Sequence, residues 1–256
     1  MLLIPLVVSL AAAGRWGLEG PLFLGTCLAL YTARQPVVML VRGMREQGDQ
    51  ETGQPLLWLT IYLMAALVFG LPLLLIYHRW LLLPWAAVFV VFTGVHFYFR
   101  QRRLERTIPG ELVTIAGLAL TAPGAYYVVR GLEPAAVYLW VLTALYSSAS
   151  VFYVRMKMKH RSLRRPASDL KERLALARDL LIYLGLLIAV LFLVVAWRQA
   201  PPLVPFAFVP LVVKVAHAVL AGGPQVNIKK IGWIEVAHSL AFTFLLSGVY
   251  LVASRS

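Results

Sequence analysis

The 256 residues are 61% hydrophobic and only 14% charged, with a mean hydropathy of +0.79. A water-soluble domain of that length has too little interior to hide so much apolar surface, which predicts an all-α polytopic membrane bundle whose helices satisfy their own backbone hydrogen bonds. A single cysteine, Cys27, excludes a disulfide framework and dithiol chemistry, and the net charge of +13 does not indicate nucleic acid, because nearly all the basic residues fall in short loops between apolar runs.

Nine apolar segments are predicted, at about Leu2–Gly14, Pro21–Val41, Leu56–Tyr77, Leu81–Phe99, Pro109–Val129, Pro134–Val154, Leu180–Trp197, Leu203–Gly222 and Ile231–Ala253. The first is short: fourteen residues reach about 21 Å, less than a ~30 Å hydrocarbon core. It also lacks the basic start of a secretory signal, so the expectation is a half-length helix or a native amino terminus upstream of Met1.

The second segment ends in LALYTARQPVVMLVRGMREQGD, Leu28–Asp49, with Arg34 inside the apolar run. Tyr31, Arg34, Val38, Arg42 and Arg45 trace one helical stripe. Guanidinium forks fit phosphate oxygens, so the stripe suits an anionic headgroup; the plainer reading is an Arg34 that snorkels or pairs with a carboxylate. The third and fourth segments are joined by little more than His78-Arg79-Trp80, which predicts a tight hairpin, and His96 reads as an interfacial residue. In the fifth, Pro109 suits a first helical position and Glu111 a first turn, while Gly117, Pro123 and Gly124 permit close packing or a kink.

The connection Arg155–Leu180 carries nine basic residues. Residues 155–178 are expected to form a basic cytoplasmic loop holding a short amphipathic surface helix, capped by Ser168 or Asp169 and lying against anionic headgroups. No domain boundary interrupts residues 1–256. In the last hairpin, Lys214 and His217 share a face at i,i+3, as do Glu235 and His238, at similar depth from the turn. Such intramembrane groups face the bundle interior or water. The sharp readings are a proton relay or a metal held by His217, Glu235 and His238; the bland one is a Lys214–Glu235 pair with both histidines bonded locally.

No Gly-rich phosphate loop, HExxH, CxxC or GxSxG occurs, so the recognised soluble-enzyme motifs are missing, and neither a resident metal nor a cofactor is expected. Lys and Arg counts set an orientation. Loops after segments two, four, six and eight hold seventeen basic residues and the alternate loops four. The positive-inside rule then puts the even loops and the amino terminus in the cytoplasm and the carboxyl terminus outside.

LTAPGAYY (Leu120–Tyr127), VFYVRMKMK (Val151–Lys159) and KKIGWIEV (Lys229–Val236) resemble the YwiC-like family of bacterial membrane proteins, as does the opening MLLIP. That likeness implies a bacterial cytoplasmic membrane and supplies no mechanism. Family members carry a His-Gly-Ala-Trp run just before the equivalent of Met1-Leu2, which again points to an upstream start. The layout is more distantly similar to UbiA-type prenyltransferases, nine-helix proteins that bind prenyl diphosphate through magnesium on two aspartate-rich motifs. FYFRQRRLERTIPGELVTIAGLAL (Phe97–Leu120) looks like their segment-four to segment-five passage, and the aspartate positions correspond to the opening stretch of segment two and to SVFYVRMKMK (Ser150–Lys159). Those positions offer Arg34, Arg42, Arg155 and Lys157 instead, a cationic set that would repel magnesium but bind an anion directly.

The leading expectation is therefore a protein that binds an anionic lipid or isoprenoid headgroup in a cytoplasm-facing polar cavity. The alternatives are a prenyltransferase-like enzyme, a proton-coupled transporter using Lys214, His217, Glu235 and His238, or an accessory subunit of a membrane complex. Membrane lipids, not nucleic acid, are the expected partners. The orientation is directly testable: with Cys27 replaced by serine, a membrane-impermeant maleimide applied to intact cells should label Arg79→Cys and leave Arg103→Cys unlabelled. The opposite pattern would invert the topology.

Overall fold

The computed structural model describes residues 3–14, 17–45, 53–104, 107–162, 169–198, 200–220 and 228–253. Among them every regular element is a helix: α1 Leu3–Ala13, α2 Glu19–Arg45, α3 Gly53–Leu75, α4 Leu82–Gln101, α5 Ile108–Ala119, α6 Thr121–Arg130, α7 Pro134–Ser162, α8 Leu170–Ala196, α9 Val204–Ala207, α10 Val209–Leu220 and α11 Ile228–Ala253. They account for all nine apolar segments, with α5 and α6 sharing the fifth and α9 and α10 the eighth. Seven stretches are long and apolar enough to cross a membrane, while Leu3–Ala13 and Val209–Leu220 are shorter. The chain is a multi-pass helical bundle.

Proline explains both divided segments. A proline has no N–H to give to the carbonyl four residues back, and its ring crowds that carbonyl. Pro123 is placed to disturb Ala119, where α5 ends, and Pro210 to disturb Phe206, where α9 is ending. At the first break Leu120 turns back onto the Gly117 carbonyl, and at the second Phe208 bonds the Pro205 carbonyl. Phe208 is 1% exposed and packs edge-on against Tyr146 and Phe242, which themselves stack at 3.7 Å between ring centroids. The second break thus seats an aromatic cluster joining α7, α11 and the α9–α10 junction.

Short α1 is an interior element. Eight of its eleven residues are buried, and it packs against α6, α7 and α11. Gly14 ends it in the left-handed region, at φ 64, and Arg130 at the end of α6 donates from Nε to the Ala13 carbonyl at 2.6 Å. One orphan carbonyl at the end of α1 is satisfied in this way.

Contrary to the hairpin expectation, α3 and α4 do not pack on each other. Helix α3 packs on α2 and α4 on α5. Their connecting turn passes through His78 in the left-handed region and is pinned to α6, with the Leu81 amide donating to the Tyr127 hydroxyl at 3.3 Å and Arg79 lying over the Tyr127 ring. Anchored at the turn, the two helices splay away from it. Helix α3 buries only Ala66 and Leu73, and α4 buries no residue.

The expected surface helix after segment six is the opening of α8. Helix α7 continues to Ser162, and α8 begins at Leu170 and runs without interruption to Ala196. Asp169 stands at its N-cap with extended backbone but makes no side-chain cap bond, and Ser168 lies outside the described residues. An amphipathic turn leading into an apolar run has no reason to break, since neither proline nor glycine lies between Leu170 and Tyr183.

Glycines set the closest helix contacts. A Cβ on Gly25 of α2 would come within 2.7 Å of Cγ of Phe69 on α3, whereas one on Gly94 of α4 would meet nothing within 4 Å. Gly25→Leu is expected to lower stability by about 1–3 kcal/mol, the cost of overpacking, and Gly94→Leu to leave it unchanged or raised. Thermal unfolding of the two variants in one detergent checks this, and equal midpoints would refute the close α2–α3 approach.

Candidate functional site

The splay of α3 from α4 opens a cavity of about 780 Å³, walled by α2, α3, α4 and the α5–α6 rod. It runs from Leu82 by the α3–α4 turn to His96, a length of about 21 Å along α4 at 1.5 Å per residue. Its lining is overwhelmingly apolar, with leucines along α3 and leucine and phenylalanine side chains along α4. At the end away from the turn stands one charged group, Arg34.

Arg34 reaches this wall because α2 is continuous through Pro36, which keeps the arginine on the face that carries Cys27, Leu30 and Tyr31 into the cavity. Its Nη2 meets Nε2 of His96 on α4, and His96 Nδ1 lies 2.7 Å from Thr114 Oγ1 on α5. The polarity of this chain is fixed from its far end. Thr114 spends its only hydroxyl proton on the Gly110 carbonyl at 2.9 Å, so it accepts from His96 Nδ1–H. His96 Nε2 then carries a lone pair, which receives the Arg34 N–H. The imidazole is neutral in this arrangement, and Arg34 keeps its full charge. Among the described residues no carboxylate pairs with Arg34.

The four-residue anion site expected from the sequence is divided. Arg155 Nη2 donates to Glu111 Oε1 at 3.2 Å and lines a second, smaller cavity of about 360 Å³ with Phe152, Lys159 and Asp179. Glu111 is responsible: fixed in the first turn of α5, behind a Thr107 cap that accepts from the Gly110 amide at 3.4 Å, it stands within reach of the α7 arginine. Lys157 lies over the Tyr153 ring, 5.8 Å from its centroid, and lines neither cavity. Arg42 belongs to α2, but its side chain lies outside the described residues.

The second cluster contracts to an ion pair. Lys214 Nζ donates to Glu235 Oε1 at 2.8 Å, and Ser150 Oγ donates to Oε2 of the same carboxylate at 2.6 Å. The ammonium also sits 4.5 Å from the Tyr153 ring centroid. Lys214 is 5% exposed and Glu235 half-buried, so the pair ties α10, α11 and α7 together in the bundle interior. The histidines stay apart from it. His238 Nδ1 bonds the Ile234 carbonyl one turn back at 2.8 Å, and His217 is exposed on α10. No group of three or more His, Cys, Asp or Glu side chains suited to a metal occurs among the described residues.

Three partners are absent from the sequence reading. His96 is read there as interfacial, yet it holds Arg34; the usable signal is that both lie a few turns in from strongly basic loops. Ser150 and Tyr153, at i,i+3 on α7, complete the Lys214–Glu235 pair, and a serine followed by an aromatic in an apolar helix gives no advance sign of that.

The family model for YwiC-like protein matches residues 1–126. That span contains Arg34, His96, Thr114 and every residue lining the large cavity, but not the Lys214–Glu235 pair. An uncharacterized protein of Haemophilus influenzae is 25% identical over 247 residues, covering 96% of this chain and 92% of that one. No solved structure matches the chain. The match takes in the opening MLLIP and nearly all of LTAPGAYY but neither VFYVRMKMK nor KKIGWIEV, and the UbiA-type layout has no counterpart among these matches.

Breaking the buried pair should be costlier than removing it. Glu235→Leu strands a lysine in the core and is expected to cost about 3–5 kcal/mol, whereas Lys214→Met combined with Glu235→Leu should recover most of that loss. Thermal unfolding of the two single variants and the double variant measures the coupling; additive losses would show that the pair does not act as a unit.

Proposed function

From the YwiC-like character of residues 1–126 and the cavity they build, we propose that this chain binds an anionic amphiphile, a lipid or isoprenoid, in the bilayer. The apolar tail lies between α3 and α4, and the headgroup meets Arg34 and His96. The observation that carries this reading is the state of Arg34: a full positive charge in the wall of an apolar cavity, hydrogen-bonded to a neutral imidazole and facing no carboxylate among the described residues. A charge in such a place needs a counter-charge, and the cavity is large enough for the counter-charge to arrive on a ligand.

The membrane is the bacterial cytoplasmic membrane, with the Arg34 end toward the cytoplasm. The lysine and arginine bias of the loops supports this, since Arg100, Arg102 and Arg103 follow His96 closely at the same end of α4. Headgroups of the inner leaflet then lie nearer to Arg34 than those of the outer.

Protein extracted with native lipids should carry anionic amphiphiles in native mass spectra. Arg34→Gln removes the charge but keeps polarity and length, and is expected to lose at least ten-fold of that occupancy at unchanged thermal stability. Equal lipid occupancy in wild type and Arg34→Gln would overturn the reading.

A further inference from the structure

The chemical class of the ligand follows from charge and volume, given the amphiphile-binding reading above. We infer that the cavity takes a single-chain amphiphile with one compact negative charge, a long-chain carboxylate, in preference to a prenyl diphosphate. Three observations lead there.

The first is the net charge of the wall. Among the described residues lining the cavity only Arg34 is charged, and the Thr114–His96 polarity keeps His96 neutral because its Nε2 is the acceptor. The site therefore offers one positive charge. A carboxylate cancels it. A diphosphate brings more negative charge than one guanidinium neutralises, and the excess would be stranded among leucines and phenylalanines. Among the described residues the lining contains no carboxylate that could recruit a divalent cation to offset that excess.

The second is the donor count. Guanidinium has five N–H donors, and one is committed to His96. The remainder include a parallel pair able to meet both oxygens of one carboxylate, the geometry in which this ion pair is strongest.

The third is size. At about 780 Å³ the cavity falls within the roughly 300–1,000 Å³ of pockets that take one small ligand, which suits one long chain and its headgroup. Its length of about 21 Å along α4 exceeds the ~15 Å that one leaflet contributes to a bilayer core, so a membrane acyl chain fits extended. The tail then points from Arg34 toward the α3–α4 turn, past Ala86, an exposed lining residue ten positions before His96 and about 15 Å from it along the helix.

Ala86 supplies a test that loss of folding cannot mimic. The full-length protein in nanodiscs is titrated with oleate, decanoate and geranylgeranyl diphosphate, with displacement of a fluorescent fatty acid as the readout. Oleate is expected to bind at least ten-fold more tightly than the diphosphate, and Arg34→Gln to weaken oleate at least ten-fold. Ala86→Phe blocks the last ~6 Å of the cavity and should shift preference from oleate toward decanoate by about ten-fold, with decanoate binding retained. If the diphosphate binds as tightly as oleate or more so, in an Arg34-dependent way, the carboxylate assignment falls and the amphiphile-binding reading stands. If no probe distinguishes wild type from Arg34→Gln, both fall. Unchanged chain-length preference in Ala86→Phe overturns the placement of the tail.

Discussion

A guanidinium cannot shed its charge, and in hydrocarbon it cannot be left without partners; the architecture of residues 1–126 is arranged around that constraint at Arg34. The neighbouring helix answers with an imidazole, not a carboxylate, and the imidazole is in turn held by a threonine whose own proton is already committed to a backbone carbonyl. Geometry is fixed while charge is left uncancelled. A carboxylate in place of His96 would have made an inert structural pair, the arrangement that the same chain adopts at Lys214 and Glu235. Two solutions to one electrostatic problem thus coexist: one closed, joining α7, α10 and α11, and one open to a cavity.

The cavity itself depends on helices that fail to pack. Helices joined by a turn as short as that between α3 and α4 ordinarily lie side by side. Here the turn is tethered to Tyr127 on α6, while α3 is drawn toward α2 by the close approach of Gly25 to Phe69 and α4 toward α5 by that of Gly117 to Phe92. The apolar faces left between them would be lipid-facing in an isolated hairpin and instead enclose space. Proline contributes on the opposite wall, where α5 gives way to α6 at Leu120, whose amide bonds the Gly117 carbonyl and whose own carbonyl accepts from the Gly124 amide.

Much of this was legible from the residues alone. Apolar runs located all nine segments because hydrocarbon thickness fixes how long such a run must be. Pro109 and Glu111 announced the start of α5, and Gly117, Pro123 and Gly124 the close packing and break that follow. The direction each helix takes was less accessible: hydropathy records length, and tilt is decided by neighbours. The Arg34–His96 contact joins residues 62 apart in the chain, so no local periodicity reveals it. Arg155 aligned with Arg34 by charge alone, and only the position of Glu111 shows why the two line different cavities. The run beginning at Leu170 read as a separate surface helix because its charges end abruptly, although no residue there stops the backbone.

The burial of α1 has a consequence for how the protein is made. Residues Leu3–Ala13 touch α6, α7 and α11 in the finished molecule. The last of these partners leaves the ribosome more than two hundred residues later. The contacts of α1 with α6 and α7, and the Arg130 bond to the Ala13 carbonyl, join segments made well before α11, so the surroundings of α1 are complete only when the last helix is in place.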